Sequence, residues 1–352
     1  MEQIAENIVQ ITQDYHSDYN EGFVMSSKHV LDWVNQFDEQ DQEFVMSELL
    51  HILNQGVYIS KEKAKEILWE FLNKATTFFD YQNIETFLRE THFINSQAEH
   101  KSQSILLKLV NDIMVEKTGF TIEICGSLGV RNYIYLDDVL ASGGTFKFAI
   151  KKFIEDNSLL EPLINKELRI LSFFFCTHSW GLDNTRYSLK KLFGDENYFL
   201  DVAKFPVGSY YKIENNLKGF NPKLNLVYPE KSKNEYDAYL VSLENASVQS
   251  DKAYRKATQP SQEAFFSSKE NRNRLEQIFL DKGIEIISKI QDETTKHKHR
   301  PLGKTYPSYK TFGTGTLFFT WRNISNTCPI VLWWNNPAHN WKGLFPLYNR
   351  GN

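Results

Sequence analysis

The segment that most restricts how this chain can fold is Tyr133-Ile134-Tyr135-Leu136-Asp137-Asp138-Val139-Leu140-Ala141-Ser142-Gly143-Gly144-Thr145. A short β-prone apolar run ends in two adjacent acids, a brief connection follows, and Gly-Gly-Thr opens a stretch with helical spacing through Phe148, Ala149, Lys152 and Phe153. A strand that turns through glycines into a helix is one step of an α/β unit. The rhythm continues on both sides. A helical stripe of Ile105, Leu106, Leu109, Val110 and Ile113 precedes it and ends near Gly119, and residues 120–124 alternate as a half-buried strand does. Residues 168–176 are nearly all apolar, as in a strand buried on both faces, and residues 183–193 are helical again. The fold class predicted is α/β, a mostly parallel sheet with flanking helices.

The first hundred residues read as helices, with faces such as Val30, Leu31, Val34 and Phe37. A helical N-terminal region over residues 1–80 is therefore expected before a domain over residues 81–352. That domain should carry an irregular and helical insertion around residues 215–295, and the last fifty residues return to β-prone aromatic runs. The net charge of −4 argues against indiscriminate binding to nucleic acid. The three cysteines, Cys125, Cys176 and Cys328, sit in apolar runs without zinc-ligand spacing and read as buried, reduced thiols. The N-terminus lacks the basic-then-apolar order of a signal peptide, and no apolar run approaches the ~20 residues of a membrane span. The expectation is a soluble cytoplasmic protein that makes no use of a membrane.

Chemistry assigns each part of the acid–glycine segment a task. Glycines let the backbone turn tightly and approach an anion, while Ser142 and Thr145 supply hydroxyls. A helix beginning near Thr145 points free N–H groups and its positive end at a phosphate. Two carboxylates at a strand's carboxyl end can grip vicinal ribose hydroxyls, directly or through magnesium. The crevice outside the strand ends is where such sheets bind ligands.

This arrangement resembles the phosphoribosyl-diphosphate motif of type I phosphoribosyltransferases, in which two acids follow an apolar strand and a Thr/Ser-x-Gly-Gly-Thr loop holds the 5′-phosphate. Asp137 and Asp138 match the acids, and Ala141, Ser142, Gly143, Gly144 and Thr145 match the loop, with Ala141 where a hydroxyl residue is common. The Arg- or Lys-Gly-Gly diphosphate loop of those enzymes is missing upstream. Its nearest substitute is Glu99-His100-Lys101-Ser102, where Lys101 would face the diphosphate or stand exposed in a helix's first turn. A second stretch runs from Gly313 through Trp321-Arg322-Asn323 to Asn326, Pro329 and Leu332-Trp333. It is similar to the ending of phosphoribosyltransferase-like effectors of bacterial conflict systems. The resemblance implies antiphage defence, some members being encoded beside retron reverse transcriptases. It implies magnesium at Asp137 and Asp138, a phosphoribosyl diphosphate or nucleotide ligand, and a restraining protein or nucleoprotein partner, such as a retron reverse transcriptase with its DNA.

Other readings compete. The two acids could be a solvated strand end and the glycines an ordinary turn. A Walker B strand would need a Gly-x4-Gly-Lys-Ser/Thr loop, and Lys298 stands where its first glycine belongs before Gly303-Lys304-Thr305. His178, after the apolar strand, could contact a base or donate a proton, or be a packed or exposed loop histidine. The run Lys296-His297-Lys298-His299-Arg300 with Lys304 could meet phosphates or be a solvated linker. Trp321, Trp333, Trp334 and Trp341 could stack bases but sit in core-like context. Function divides accordingly into a catalytic effector acting on nucleotides or nucleic acid, a non-catalytic nucleotide sensor, and a structural subunit of a defence complex.

Overall fold

The structure is a computed structural model that describes residues 1–18, 22–96, 101–193, 207–215, 224–231, 236–243 and 252–347. Packing separates two compact units, residues 1–61 with 213–352 and residues 62–212. In the first unit α1 (Glu2–Thr12), α2 (Ser27–Val34) and α3 (Glu39–Ile52) lead to a two-residue strand β1 (Tyr58–Ile59). Residues 1–61 pack with the C-terminal stretch, while residues 62–80 pack with the sheet.

The second unit holds α4 (Lys61–Phe78), α5 (Ile84–Arg89), β2 (Thr91–Phe93), α6 (Ser102–Thr118), β3 (Asn132–Leu140), α7 (Gly144–Asp156), α8 (Leu160–Ile164), β4 (Arg169–His178), α9 (Ser179–Phe193) and β5 (Val207–Ile213). Its sheet has the order β2-β3-β4-β5, and β2, β3 and β4 run parallel. Helices return the chain between successive parallel strands, so the α/β class is as expected. β4 lies between two strands and is buried along nearly its whole length, which is why its sequence is apolar without alternation. One face of the sheet packs Tyr135, Ile170 and Phe174 against Phe146, Ile150 and Ile154 of α7. On the other face Phe173 stacks on Phe71 of α4, ring centroids 4.5 Å apart. Full burial of one such phenylalanine contributes roughly 1.5–3 kcal/mol.

The rest of the first unit comprises β6 (Leu226–Val227), α10 (Asp237–Ser242), α11 (Lys269–Ser288), α12 (Glu293–Lys298), β7 (Gly315–Thr316) and β8 (Phe319–Thr320). β1 pairs in parallel with β8, and β6 pairs with β7 antiparallel. A largely buried ion network ties this unit together. Glu276 of α11 faces Arg255 and Arg272, each 3.2 Å away, and Arg272 also pairs with Glu263. Each buried guanidinium here has a carboxylate, as the cost of burying charge requires.

Several local expectations need correction. Residues 120–124 form no strand. Gly119 closes α6 in the left-handed region, and residues Ile122–Ile124 make a 3-10 turn with Asn111 accepting from the Ile122 amide at 2.8 Å. The sheet instead begins at β2, a three-residue strand within what reads as helical sequence. The aromatic C-terminal runs fold mainly as turns, with only the short β7 and β8. Cys125 is half-buried, whereas Cys176 and Cys328 are buried as expected. Residues 245–251 of the expected connector, and most of residues 215–235, lie outside the described residues. No helix among the described residues is long and apolar enough to cross a membrane.

Candidate functional site

β3 does not stop at its acids. It pairs with β4 through Asp137↔Phe174, Val139↔Cys176 and Leu140↔Thr177, because Val139 and Leu140 continue its apolar pattern. On the other side, pairing with β2 reaches Phe93↔Ile134. Alternation puts Asp137 on the same face as Tyr135. Asp137 is therefore buried rather than solvent-facing, with 8 % exposure. Its Oδ1 accepts from the Ser102 hydroxyl and from the Asp138 amide at 2.9 Å, and its Oδ2 accepts from the Tyr135 hydroxyl at 3.2 Å. Burial first, and then the charge of Asp138, push its carboxyl up to about 7 against the pull of the Ser102 bond. Asp138 is half-buried, and its Oδ1 accepts from the Val139 amide at 2.8 Å.

The turn after β3 is built on one glycine. Gly143 has φ 75° and ψ 3°, the left-handed region, and caps α7 without a side-chain hydrogen bond. The Gly144 amide donates to Ser142 Oγ at 3.3 Å, and Gly144 and Thr145 are exposed. A cavity of about 100 Å³ opens here, lined by Asp137, Ser142, Gly143, Gly144, Thr145 and Phe146 among others. An uncapped helix start beside a buried acid can take the phosphate and the ribose of one ligand.

What holds this turn in place is α9, a contribution the sequence reading missed. The chain passes from His178 of β4 directly into α9, whose first turn lies against the loop. A Cβ at Gly181 would sit 1.8 Å from the Ala141 carbonyl oxygen, and one at Gly143 would sit 2.0 Å from Thr185 Oγ1. Asn184 Nδ2 donates to the Ser142 carbonyl at 3.1 Å. Ser102 was likewise missed as a partner of Asp137, although it adjoins Lys101. The only signals in sequence were a glycine inside a helical stretch and a serine before one.

Lys101 is the residue before α6 and so adjoins Ser102, whose hydroxyl donates to Asp137. Glu99 and His100 lie outside the described residues. His178 is not in a loop at the strand's edge. It ends β4 at 1 % exposure, and burial pushes its imidazole down to about 4, leaving it neutral at physiological pH. Thr177 is also part of β4, and Ser179 and Trp180 belong to α9. The second motif is architectural. A Cβ at Gly315 would lie 2.6 Å from the Pro329 ring, and the Lys304 amide donates to the Asn326 carbonyl at 3.0 Å. Trp321, Trp333 and Trp341 are core residues whose indole N–H groups bond to Asp18, Cys328 and Val331.

For magnesium, the donor set consists of two adjacent carboxylates, and no cluster of three or more His, Cys, Asp or Glu able to hold a metal occurs among the described residues. Burial and then the charge of Asp138 raise Asp137, and a divalent cation would relieve the second of these. Two carboxylates suit Mg²⁺ that arrives with phosphate and ribose oxygens rather than one caged by protein alone.

A parallel sheet whose inner strand delivers acids and a glycine turn to a helix start is the architecture of a phosphoribosyltransferase-like protein. The chain belongs to the PRTase-CE family, a phosphoribosyltransferase-like effector family, whose model matches residues 30–347. No curated protein matches it, and no solved structure does.

Proposed function

We propose that the chain binds phosphoribosyl diphosphate or a phosphoribosyl nucleotide with Mg²⁺ and acts as an effector on nucleotides or nucleic acid in antiphage defence. The observation that carries this reading is the open N-terminus of α7 at Gly143, facing a cavity that Asp137 also lines. Ser142, Gly143, Gly144 and Thr145 hold the 5′-phosphate through amides and hydroxyls. Asp138 and Asp137 orient the ribose hydroxyls, and the same carboxylates hold Mg²⁺, which when bound offsets charge on the leaving diphosphate. Lys101 adds positive charge on that side. The role left for His178 is packing. A toxic effector also needs restraint before infection, which a protein or nucleoprotein partner such as a retron reverse transcriptase with its DNA would supply.

Gly144→Val tests the ligand directly. Its nearest neighbour would be Ser142 Oγ at 3.5 Å, so the fold has room for a side chain there. That side chain would block the approach of a phosphate to the α7 amides. Affinity for phosphoribosyl diphosphate in calorimetry should fall at least tenfold, about 1.4 kcal/mol, with melting unchanged. Equal affinity in the folded variant would remove the loop from the site.

A second reading, a nucleotide sensor without turnover, is favoured by one observation: both oxygens of Asp137 already accept hydrogen bonds. Release of diphosphate from phosphoribosyl diphosphate separates the two, since a sensor would bind it and release none.

A further inference from the structure

The first unit contains a buried cation that differs from Arg255 and Arg272. Arg255 and Arg272 each meet carboxylates. Arg300 is nine-tenths buried yet, among the described residues, meets only main-chain carbonyls. Its Nε donates to Tyr309 at 2.6 Å, and its Nη1 donates to His297 at 3.2 Å and to His299 at 2.5 Å. These bonds fix the guanidinium in place and leave Nη2 with no protein partner among the described residues. No carboxylate among those residues pairs with it.

Two further cations stand beside it. Lys304 is half-buried and its ammonium has no acceptor among the described residues. Burial first, then the charges of Arg300 and Lys298, hold it below its usual range. Lys298, at the end of α12, is exposed and makes no close ion pair among the described residues, although its charge reaches Asp292 at the start of the same helix. Lys296 and His297 on the same helix differ in this respect, since both lie near Glu293. Buried and crowded positive charge without a counter-ion is costly, and an anion supplied from outside removes that cost.

The surroundings narrow the class of anion. Tyr309, whose carbonyl anchors Arg300, pairs with Tyr306 at a centroid distance of 4.3 Å, and both rings are half-buried. Lys310 lies over Tyr309 at 5.9 Å. Cations at intervals along a surface with neighbouring aromatic faces are what a single-stranded nucleic acid uses, phosphates on the cations and bases on the rings. From this arrangement we infer that Lys298, Arg300 and Lys304 form a phosphodiester-binding site for single-stranded nucleic acid, flanked by Tyr306 and Tyr309. The site is built from other residues than the phosphoribosyl loop and stands whether or not that loop binds its ligand.

The test uses the full chain and fluorescently labelled dT and U oligonucleotides of about 20 nucleotides, with anisotropy as the readout at several salt concentrations. Arg300 is buried, so the variant is Lys298→Gln with Lys304→Gln, whose side chains reach solvent. Binding should weaken at least tenfold in this variant. Two lost phosphate contacts should also reduce the slope of log affinity against log salt by about 1.4. Binding of either strand type with these changes supports the site. Three results would overturn it: no binding of either oligonucleotide at low salt, equal affinity and slope in the folded variant, or complete displacement of the strand by equimolar inorganic diphosphate. The last would make the cluster a small-polyphosphate site. Melting of the variant checks that it is folded.

Discussion

Gly181→Ala is expected to lower the melting temperature by about 5 °C and to weaken binding of phosphoribosyl diphosphate more than a hundredfold, about 2.7 kcal/mol. The added methyl would lie 1.8 Å from the Ala141 carbonyl oxygen, a backbone atom with no flexible end that can swing away. Either α9 or the 141–143 turn must move by more than an ångström. Overpacking of this kind costs roughly 1–3 kcal/mol. The binding loss is larger than for Gly144→Val because the whole turn shifts, and with it every amide that would face the phosphate. Scanning calorimetry and titration calorimetry on the same preparation read both effects. Unchanged melting and affinity together would mean that α9 does not set the loop's position.

Asp137→Asn is expected to abolish activity and, above neutral pH, to raise stability. In the unfolded chain this carboxyl ionises near pH 4, and in the folded chain at about 7. Between those values the folded state keeps the additional proton, so the wild-type chain loses stability as pH rises through the window. The loss is complete above the folded value and has a ceiling of about 4 kcal/mol. Asparagine carries no charge to desolvate, and its Oδ1 still accepts from Ser102 and the Asp138 amide. Melting of the variant minus that of wild type should therefore increase by several degrees between about pH 5 and about pH 8. A difference constant across that range would show that Asp137 ionises normally and is not the buried acid described. Adding Asp138→Asn removes the remaining charge and should eliminate ligand binding without unfolding the chain.

These two residues also mark where the sequence stopped being readable. The β3–α7 segment was legible because its signals are local: acids after an apolar run, then glycines and a threonine before helical spacing. Gly143 follows the same logic, since a tight turn into a helix asks for a left-handed residue. Gly181 carried no such signal. Its need for a missing side chain arises only when α9 comes against Ala141, a contact between residues forty positions apart. Burial of Asp137 was hidden for a similar reason, since it depends on Ser102 and on Val139 and Leu140 extending the strand past it. β2 was missed because three residues give too little periodicity to oppose the helices around them. Residues 120–124 misled in the opposite direction, since alternation alone cannot tell a strand from a turn that has no neighbour to pair with. The lack of an acid at Arg300 was equally invisible, because a basic run in sequence says nothing about which of its members is enclosed.

The direct passage from His178 of β4 into Ser179 of α9 has a consequence for how a ligand would be captured. The helix that shores up the 141–143 turn is continuous with an inner strand of the sheet and has no hinge residue between them. Little disorder then remains for a ligand to remove at this wall, and the entropy of ordering it was settled when the sheet folded. Association there should run at the rate of encounter rather than wait for a slower rearrangement. Any selectivity at this wall then lies in how long a ligand stays.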